Sequence, residues 1–252
     1  MSIRKIAIVT GGSRGIGRNA VLNLAKCGVR SIFTYNSNRA EAEKVVALAK
    51  EAGARALALQ LDTANVGAFD GFAAQVKEAL ATWEAERFDY LVNNAGTSSN
   101  AGLETITEAE MDALYNVHFK GVLFLTQKLL PLMNDGGRIV NISSGLARFA
   151  MPNRIGYGSI KAAVEALTRY MAVELGPRRI TANVIAPGAI ATDFSGGIVR
   201  DNPQISKAVA DHTALGRAGV ADDVGPVIAA LLSDDFGWVN AQRIEVAGGI
   251  HI

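Results

Sequence analysis

Apolar residues in this chain come in short unbroken blocks, separated by longer segments of helical period. The blocks are Lys5–Thr10, Ser31–Tyr35, Ala56–Leu61, Tyr90–Asn93, Arg138–Ser143, Ile180–Ala186 and Arg243–Ala247. Continuous rather than alternating apolar stretches of this length suit strands buried on both faces of a parallel sheet. Helix-length amphipathic segments lie between them, among them Asn19–Lys26, Arg39–Ala52, Phe69–Trp83, Glu108–Leu130 and Ser159–Leu175. Strand and helix alternate from end to end. The pattern predicts an α/β fold, a doubly wound seven-stranded parallel sheet with helices on both faces.

No repeat, low-complexity tract or linker interrupts this alternation, so residues 1–252 read as a single domain. One long stretch, residues 188–219, lacks a clear strand and carries Gly196-Gly197, Pro203, Phe194, Ile198 and Val199. In a compact domain such an insertion predicts a lid over a binding site. The 25 basic and 24 acidic side chains nearly cancel, leaving a net charge of +1. That balance argues against a nucleic-acid partner and against an acidic tail. No apolar run reaches the length of a membrane span, and Met1 to Lys5 lead into the first strand without a signal-peptide pattern. A cytoplasmic location is expected. Cys27 is the one cysteine, which excludes an internal disulfide; late in an apolar helical stretch, it reads as a small buried thiol.

Unusual polar residues gather after the strands, where open parallel sheets bind ligands. The first strand is followed by Thr10-Gly11-Gly12-Ser13-Arg14-Gly15-Ile16-Gly17, and the second by Tyr35-Asn36-Ser37-Asn38-Arg39. The third ends in Asp62-Thr63, the fourth in Asn93-Asn94-Ala95-Gly96, the fifth in Ser143-Ser144 and the sixth in Pro187-Gly188. Glycines in the first turn let backbone N–H groups approach a pyrophosphate, with the dipole of the next helix behind them. The gap of three precedes the gap of one, unlike the common dinucleotide fingerprint. An NAD site places an acid after the second strand; Tyr35, Asn36, Ser37 and Asn38 supply none, while Arg14 and Arg39 are available as cations. This favours NADP(H) over NAD(H).

Tyr157 and Lys161, four residues apart at a helix start, share one helix face. A free phenol has a pKa of about 10, and a fixed ammonium nearby favours its phenolate, which suits it to acid–base work near neutrality. Ser144 can hydrogen-bond a carbonyl and steady a developing oxyanion; Ser143 competes for that role, and strand alternation points the two in opposite directions. Asn116, in the helix after the fourth strand, is a candidate to fix a water beside Lys161. His118, two residues on, falls on a different helix face and reads as an ordinary helix residue. His212 lies in the expected lid, and the three histidines lack metal-ligand spacing, so no metal is expected.

Together these residues resemble the short-chain dehydrogenase/reductase family in its compact single-domain form, a Rossmann fold. The Thr-Gly-x-x-x-Gly-x-Gly turn at Thr10–Gly17 and Asn-Asn-Ala-Gly at Asn93–Gly96 carry the resemblance, with Pro187-Gly188, Ala191-Thr192-Asp193, Arg217-Ala218-Gly219 and Gly248-Gly249. The resemblance implies a catalytic tetrad of Asn116, Ser144, Tyr157 and Lys161. It also implies a cofactor site from Gly11, Ser13, Arg14, Gly15, Ile16, Gly17, Tyr35, Asn36, Ser37, Asp62, Thr63, Asn93, Ala95, Gly96, Tyr157, Lys161, Pro187, Gly188, Ile190 and Thr192. Hydride transfer between NADP(H) and a small-molecule carbonyl substrate would follow, in a homotetramer whose interfaces use the helices around 108–130 and 157–175.

The most similar subgroups are 3-oxoacyl-carrier-protein reductases and carbonyl or sugar reductases. Against the first stands Asn134-Asp135-Gly136, where such reductases tend to be basic, although Arg178 and Arg179 keep some positive charge nearby. A non-catalytic NADP-binding sensor is the alternative from another class; filled tyrosine and lysine positions argue against it. The epimerase branch needs a longer C-terminal region. Leu146, Phe149, Met151, Phe194, Ile198 and Val199 are candidates for an apolar pocket wall and favour a hydrophobic ketone or acyl chain.

Overall fold

The computed structural model describes residues 5–252. Seven strands, β1 (Ile6–Val9), β2 (Arg30–Tyr35), β3 (Ala56–Gln60), β4 (Phe88–Asn93), β5 (Met133–Ile142), β6 (Thr181–Pro187) and β7 (Arg243–Val246), form one sheet. Their order is β3-β2-β1-β4-β5-β6-β7, and every pairing is parallel. The chain therefore winds outward from β1, returns, and winds outward the other way from β4. The reversal lies between β1 and β4, and their carboxyl ends open the crevice in which such sheets bind ligands.

Within each apolar block the side chains alternate between two buried layers. Ile6 and Ile8 join Ile32, Leu91 and Ile139 beneath α3 (Phe69–Thr82), α5 (Gly121–Leu129) and α6 (Ile155–Leu175). Ala7 and Val9 join Phe33, Val92, Val140 and Ile185 beneath α1 (Gly15–Lys26), α2 (Arg39–Glu51) and α9 (Ala221–Leu231). Burial of both faces is why these strands read as unbroken apolar runs.

Local signals fix the helix starts. Asn38 accepts the Glu41 N–H at 3.1 Å to cap α2, and Thr107 with Glu110 forms a reciprocal capping box on α4 (Glu108–Tyr115). The helix expected over 108–130 runs as α4, a single π turn at Asn116–Lys120, and α5. Strand β5 begins earlier than expected, at Met133, and its register against β4 shifts between Phe88 and Tyr90. Residues 188–219 hold no strand of the sheet. They contain α7 (Ile198–Asp201) and α8 (Pro203–Asp211), preceded by Ser195, Gly196 and Gly197, all at positive φ.

Cys27 corrects an expectation: it is exposed, not buried. It is the residue that caps the end of α1, and the chain turns away at Gly28, whose φ is +75°. The buried stripe of α1 runs through Gly17, Ala20, Val21, Leu24 and Ala25 and stops short of it.

Candidate active site

The Gly-rich turn is built by close backbone approach. Gly11 lies at φ +65°, and a Cβ on Gly17 would sit 2.2 Å from the Gly11 carbonyl oxygen. A side chain at either position would break the turn. Gly11 N–H donates to Thr34 Oγ1 at 3.0 Å and Gly12 N–H to Thr34 O at 2.8 Å, so β2 holds the turn from one side. From the other side, Thr10 Oγ1 accepts the N–H groups of Asn94 and Ala95 at 2.9 and 3.0 Å. Asn94 Nδ2 returns hydrogen bonds to the carbonyls of Thr10 and Gly11 at 2.9 and 3.1 Å. Asn94 is thus the staple across the β1–β4 crevice. Sequence reasoning passed over it for its neighbours, although the Asn-Asn pair was in view.

The Asn93 side chain does different work in the same place. Its side chain is buried and donates to Asn141 Oδ1 at 2.8 Å and Thr126 Oγ1 at 3.2 Å, so it ties β4 to β5 and α5 and turns away from the crevice. Asn141 Nδ2 extends the network to Thr168 Oγ1 at 2.8 Å. Alternation along β4 gives the physical reason: adjacent residues point to opposite sides.

The other nucleotide-site candidates ring the mouth of the crevice. Ser13 and Gly15 lie in the turn, while Ile16 packs its side chain on the core beneath α1. Arg14 is exposed at the start of α1 and makes no ion pair among the described residues. Tyr35 is buried at the end of β2, with Asn36 and Ser37 exposed beyond it. Arg39 is engaged instead by Glu43, one helical turn on, at 2.8 Å. Asp62 is exposed and accepts the Ala64 N–H at 2.9 Å, and Thr63 is buried beside Gly121. Gly96 abuts His118, Gly188 abuts Ala247, and Ile190 bridges to Gly219. Thr192 reaches back to the Gly-rich turn, 3.6 Å from the position of a Cβ on Gly15. Between that turn and residues 191–200 lies a cleft of about 410 Å³ whose walls include Arg18, Thr192, Asp193 and Arg200. A crowded glycine turn at a helix N-terminus, with no acid after β2 and Arg14 unpaired, fits an NADP pyrophosphate and 2′-phosphate.

Beyond the crevice, Tyr157 and Lys161 project from the first two turns of α6 and are 8 % and 4 % exposed. Lys161 Nζ donates to the Ile142 carbonyl at 2.7 Å and lies 5.6 Å from the centre of the Tyr157 ring. Burial lowers the lysine to about 7; donation to a carbonyl works the other way, because it favours the ammonium. Burial holds the Tyr157 phenol well above its ordinary value, opposed by the Ser144 hydroxyl and the charge of Arg154. The direction is the reverse of the expected drift towards phenolate, since desolvation outweighs the Ser144 hydroxyl and Arg154 together. Burial thus disfavours the phenolate. Arg154, three residues before it, is a cation that sequence reasoning did not place.

The two serines separate as alternation requires. Ser143 is buried and donates to Glu165 at 2.7 Å, and Arg243 Nε meets the same carboxylate oxygen at 2.7 Å. Ser144 stays half-buried beside Tyr157, its hydroxyl accepting the Leu146 N–H at 3.2 Å. Phe194 approaches from residues 188–219, its ring 6.0 Å from that of Tyr157, and Ser195 donates to Ser98 Oγ at 2.9 Å. Leu146 packs in the cluster around Tyr157, Leu114 and Ile160. Phe149 turns to His251 and Arg148 instead, while Met151 and Ile198 are exposed.

Asn116 does not join this group through its side chain, which makes no hydrogen bond among the described residues; its carbonyl accepts the Gly121 N–H that closes the π turn. The residue that faces Tyr157 from this helix is His118, with ring centres 5.5 Å apart. A signal for it was present: Leu114, His118 and Val122 recur at four-residue spacing, and all three are buried.

A family model described as Enoyl-(Acyl carrier protein) reductase matches residues 11–251. The hydroxynaphthalene reductase-like protein Arp2 of Metarhizium brunneum is 37% identical over 256 residues, covering 97% of this chain and 94% of that protein. Among solved structures, the promiscuous reductase LugOII, which catalyses keto-reduction at C1 during lugdunomycin biosynthesis, superposes with a TM-score of 0.92 at 37% identity, covering 97% of both chains. The angucycline C-6 ketoreductase LanV, with bound NADP, superposes at 0.89 with 32% identity, covering 97% of this chain and 95% of its own. Matched by that family model over residues 11–251 and to these relatives over nearly their whole length, the chain belongs to the short-chain dehydrogenase/reductase family.

Proposed function

We propose that this oxidoreductase interconverts a carbonyl and a secondary alcohol, with Tyr157 as general acid and base. The observation that carries the reading is the buried Tyr157 beside the Ser144 hydroxyl, with Lys161 Nζ 5.6 Å from the centre of its ring. NADP(H) is the cofactor: solved relatives hold it, and the absent acid after β2 with the unpaired Arg14 suits its 2′-phosphate. When bound, it supplies the hydride.

The chain's own groups do the rest. Ser144 donates a hydrogen bond to the substrate oxygen and steadies the charge that builds there. Tyr157 releases its proton to that oxygen, and the Lys161 ammonium stabilises the phenolate left behind. Thr192, against Gly15, and Phe194, over Tyr157, make residues 188–219 the lid that excludes water.

The substrate we infer is a hydrophobic, ring-bearing ketone. Phe194 and Leu146 line the approach to Tyr157 with apolar surface. The relatives named for hydroxynaphthalene, lugdunomycin and angucycline reduction support the same class. Carrier-protein docking has less support, because Arg178 pairs with Asp135 at 2.7 Å and also donates to the Leu130 and Met133 carbonyls. Exposed Tyr170 and Val173 on α6 support a homotetramer that covers them.

A panel of fused-ring ketones, acetoacetyl thioesters and sugars, assayed with NADPH and NADH, tests the reading. Oxidation of NADPH with the ring ketones is expected; no turnover with any carbonyl would defeat it, and a preference for NADH would overturn the cofactor.

A further inference from the structure

Behind the Tyr157 ring lies a buried titratable group that takes no part in the chemistry above. His118 is 1 % exposed and meets the Tyr157 ring edge-on, with the planes at 84°. Its Nε2 lies 2.7 Å from the Thr97 carbonyl oxygen and 3.2 Å from the Thr97 nitrogen. One ring nitrogen cannot serve both, since the Thr97 N–H donates and the carbonyl only accepts; the shorter contact assigns the proton to Nε2. That tautomer leaves Nδ1 as a bare lone pair. Nδ1 is buried and has no hydrogen-bond partner among the described residues. Buried polar atoms without partners are rare and ask for a reason.

The surroundings keep that lone pair available. Burial and the charge of Lys161 hold the imidazole neutral. The acting groups are Lys161 and Tyr157 of α6; the segment before α4 contributes only the Thr97 backbone. Gly96 leaves room for the ring, since a Cβ there would stand 2.7 Å from His118 Cε1. The π turn at Asn116–Lys120 carries His118 to this place, while Asn116, two residues earlier, makes no side-chain bond among the described residues.

We propose that His118 is a positioning residue for proton delivery, its Nδ1 accepting a hydrogen bond from one water that the Lys161 ammonium also binds. The proton that leaves Tyr157 for the alkoxide is replaced by one from Lys161 Nζ, which takes its own from solvent water. His118 gains and loses none. The inference rests on the reductase reading of Tyr157 and Lys161.

Three variants separate this role from a structural one. His118→Asn supplies an amide whose polar atom stands where Nδ1 stands; His118→Gln reaches instead to the place of Nε2. His118→Phe keeps the edge-on ring and neither nitrogen. We expect His118→Phe and His118→Gln to lower kcat about a hundredfold, with KM for NADPH and ketone little changed, and His118→Asn to stay within about tenfold of wild type. Gln matching or exceeding Asn would assign the residue to the Thr97 bond and overturn the proposal, as would Phe at wild-type kcat or a rise in KM alone. The wild-type protein gives a check that needs no variant. Nitrogen-15 NMR of labelled histidine is expected to find Nε2 protonated and Nδ1 bare, and a proton on Nδ1 overturns the hydrogen bond. Wild-type protein that reduces no carbonyl defeats the reductase reading instead, and the NMR result still decides the tautomer.

Discussion

The two halves of the crevice are made of different material. On the β1–β3 side the site is mostly backbone: a turn of glycines, stapled by Asn94 and Thr34, with exposed Arg14 at its edge. On the β5–α6 side it is mostly buried side chains, in which Ser143, Glu165, Arg243 and Lys161 fix one another around Ser144 and Tyr157. The first half needs space and N–H groups that aim at an anion. The second needs particular polar atoms in low dielectric, where each costs stability unless it is bonded. A backbone site is sensitive to added atoms, and a side-chain site to removed ones.

Substitutions can break that contrast. Tyr157→Phe removes a single oxygen and should lower kcat by about a thousandfold with an unchanged melting temperature, measured by steady-state NADPH oxidation. If turnover persists, the acid lies elsewhere. Gly17→Val adds atoms against the Gly11 carbonyl and should cost about 3 kcal/mol of stability together with NADPH binding. Normal melting and normal cofactor fluorescence would show that the turn is not the crowded element described. Asn141→Leu strips the partner of Asn93 and Thr168 and should lower stability by about 2 kcal/mol in denaturant titration, leaving KM for NADPH near wild type.

Two smaller effects sharpen it. Lys161 is lowered to about 7 by burial, so its ammonium is lost as pH rises through that value. The kcat/KM for reduction should then fall towards tenfold per pH unit above it, while Tyr157, raised, stays protonated. A flat profile to about pH 9 would separate the lysine's charge from catalysis. Arg14→Ala should raise KM for NADPH about tenfold and leave KM for NADH unchanged. Equal effects on both would move the 2′-phosphate site away from Arg14.

Local chemistry was legible where one stretch of chain contains all that a feature needs. The parallel sheet could be read because each strand is apolar on both faces, and the Gly-rich turn because its glycines are contiguous. Tyr157 and Lys161 could be paired because one helix holds both. Legibility failed where side chains choose partners in three dimensions. Which carboxylate each arginine meets, Glu43 for Arg39 and Asp135 for Arg178, is one such choice. Asn93 and Asn94 differ in kind only because alternation on β4 sends one side chain to Asn141 and the other to Gly11. His118 went unmarked because only the π turn and the packing on α6 present it to Tyr157.

By itself the sequence determined the fold class and the pairing of Tyr157 with Lys161 on one helix, because periodicity and short spacings follow from covalent geometry. Only the tertiary structure decided which way each polar side chain turns, which cations are already neutralised, and how far burial moves the tyrosine and lysine. Those properties depend on desolvation and on neighbours brought together from distant strands, and no local window of the chain contains them.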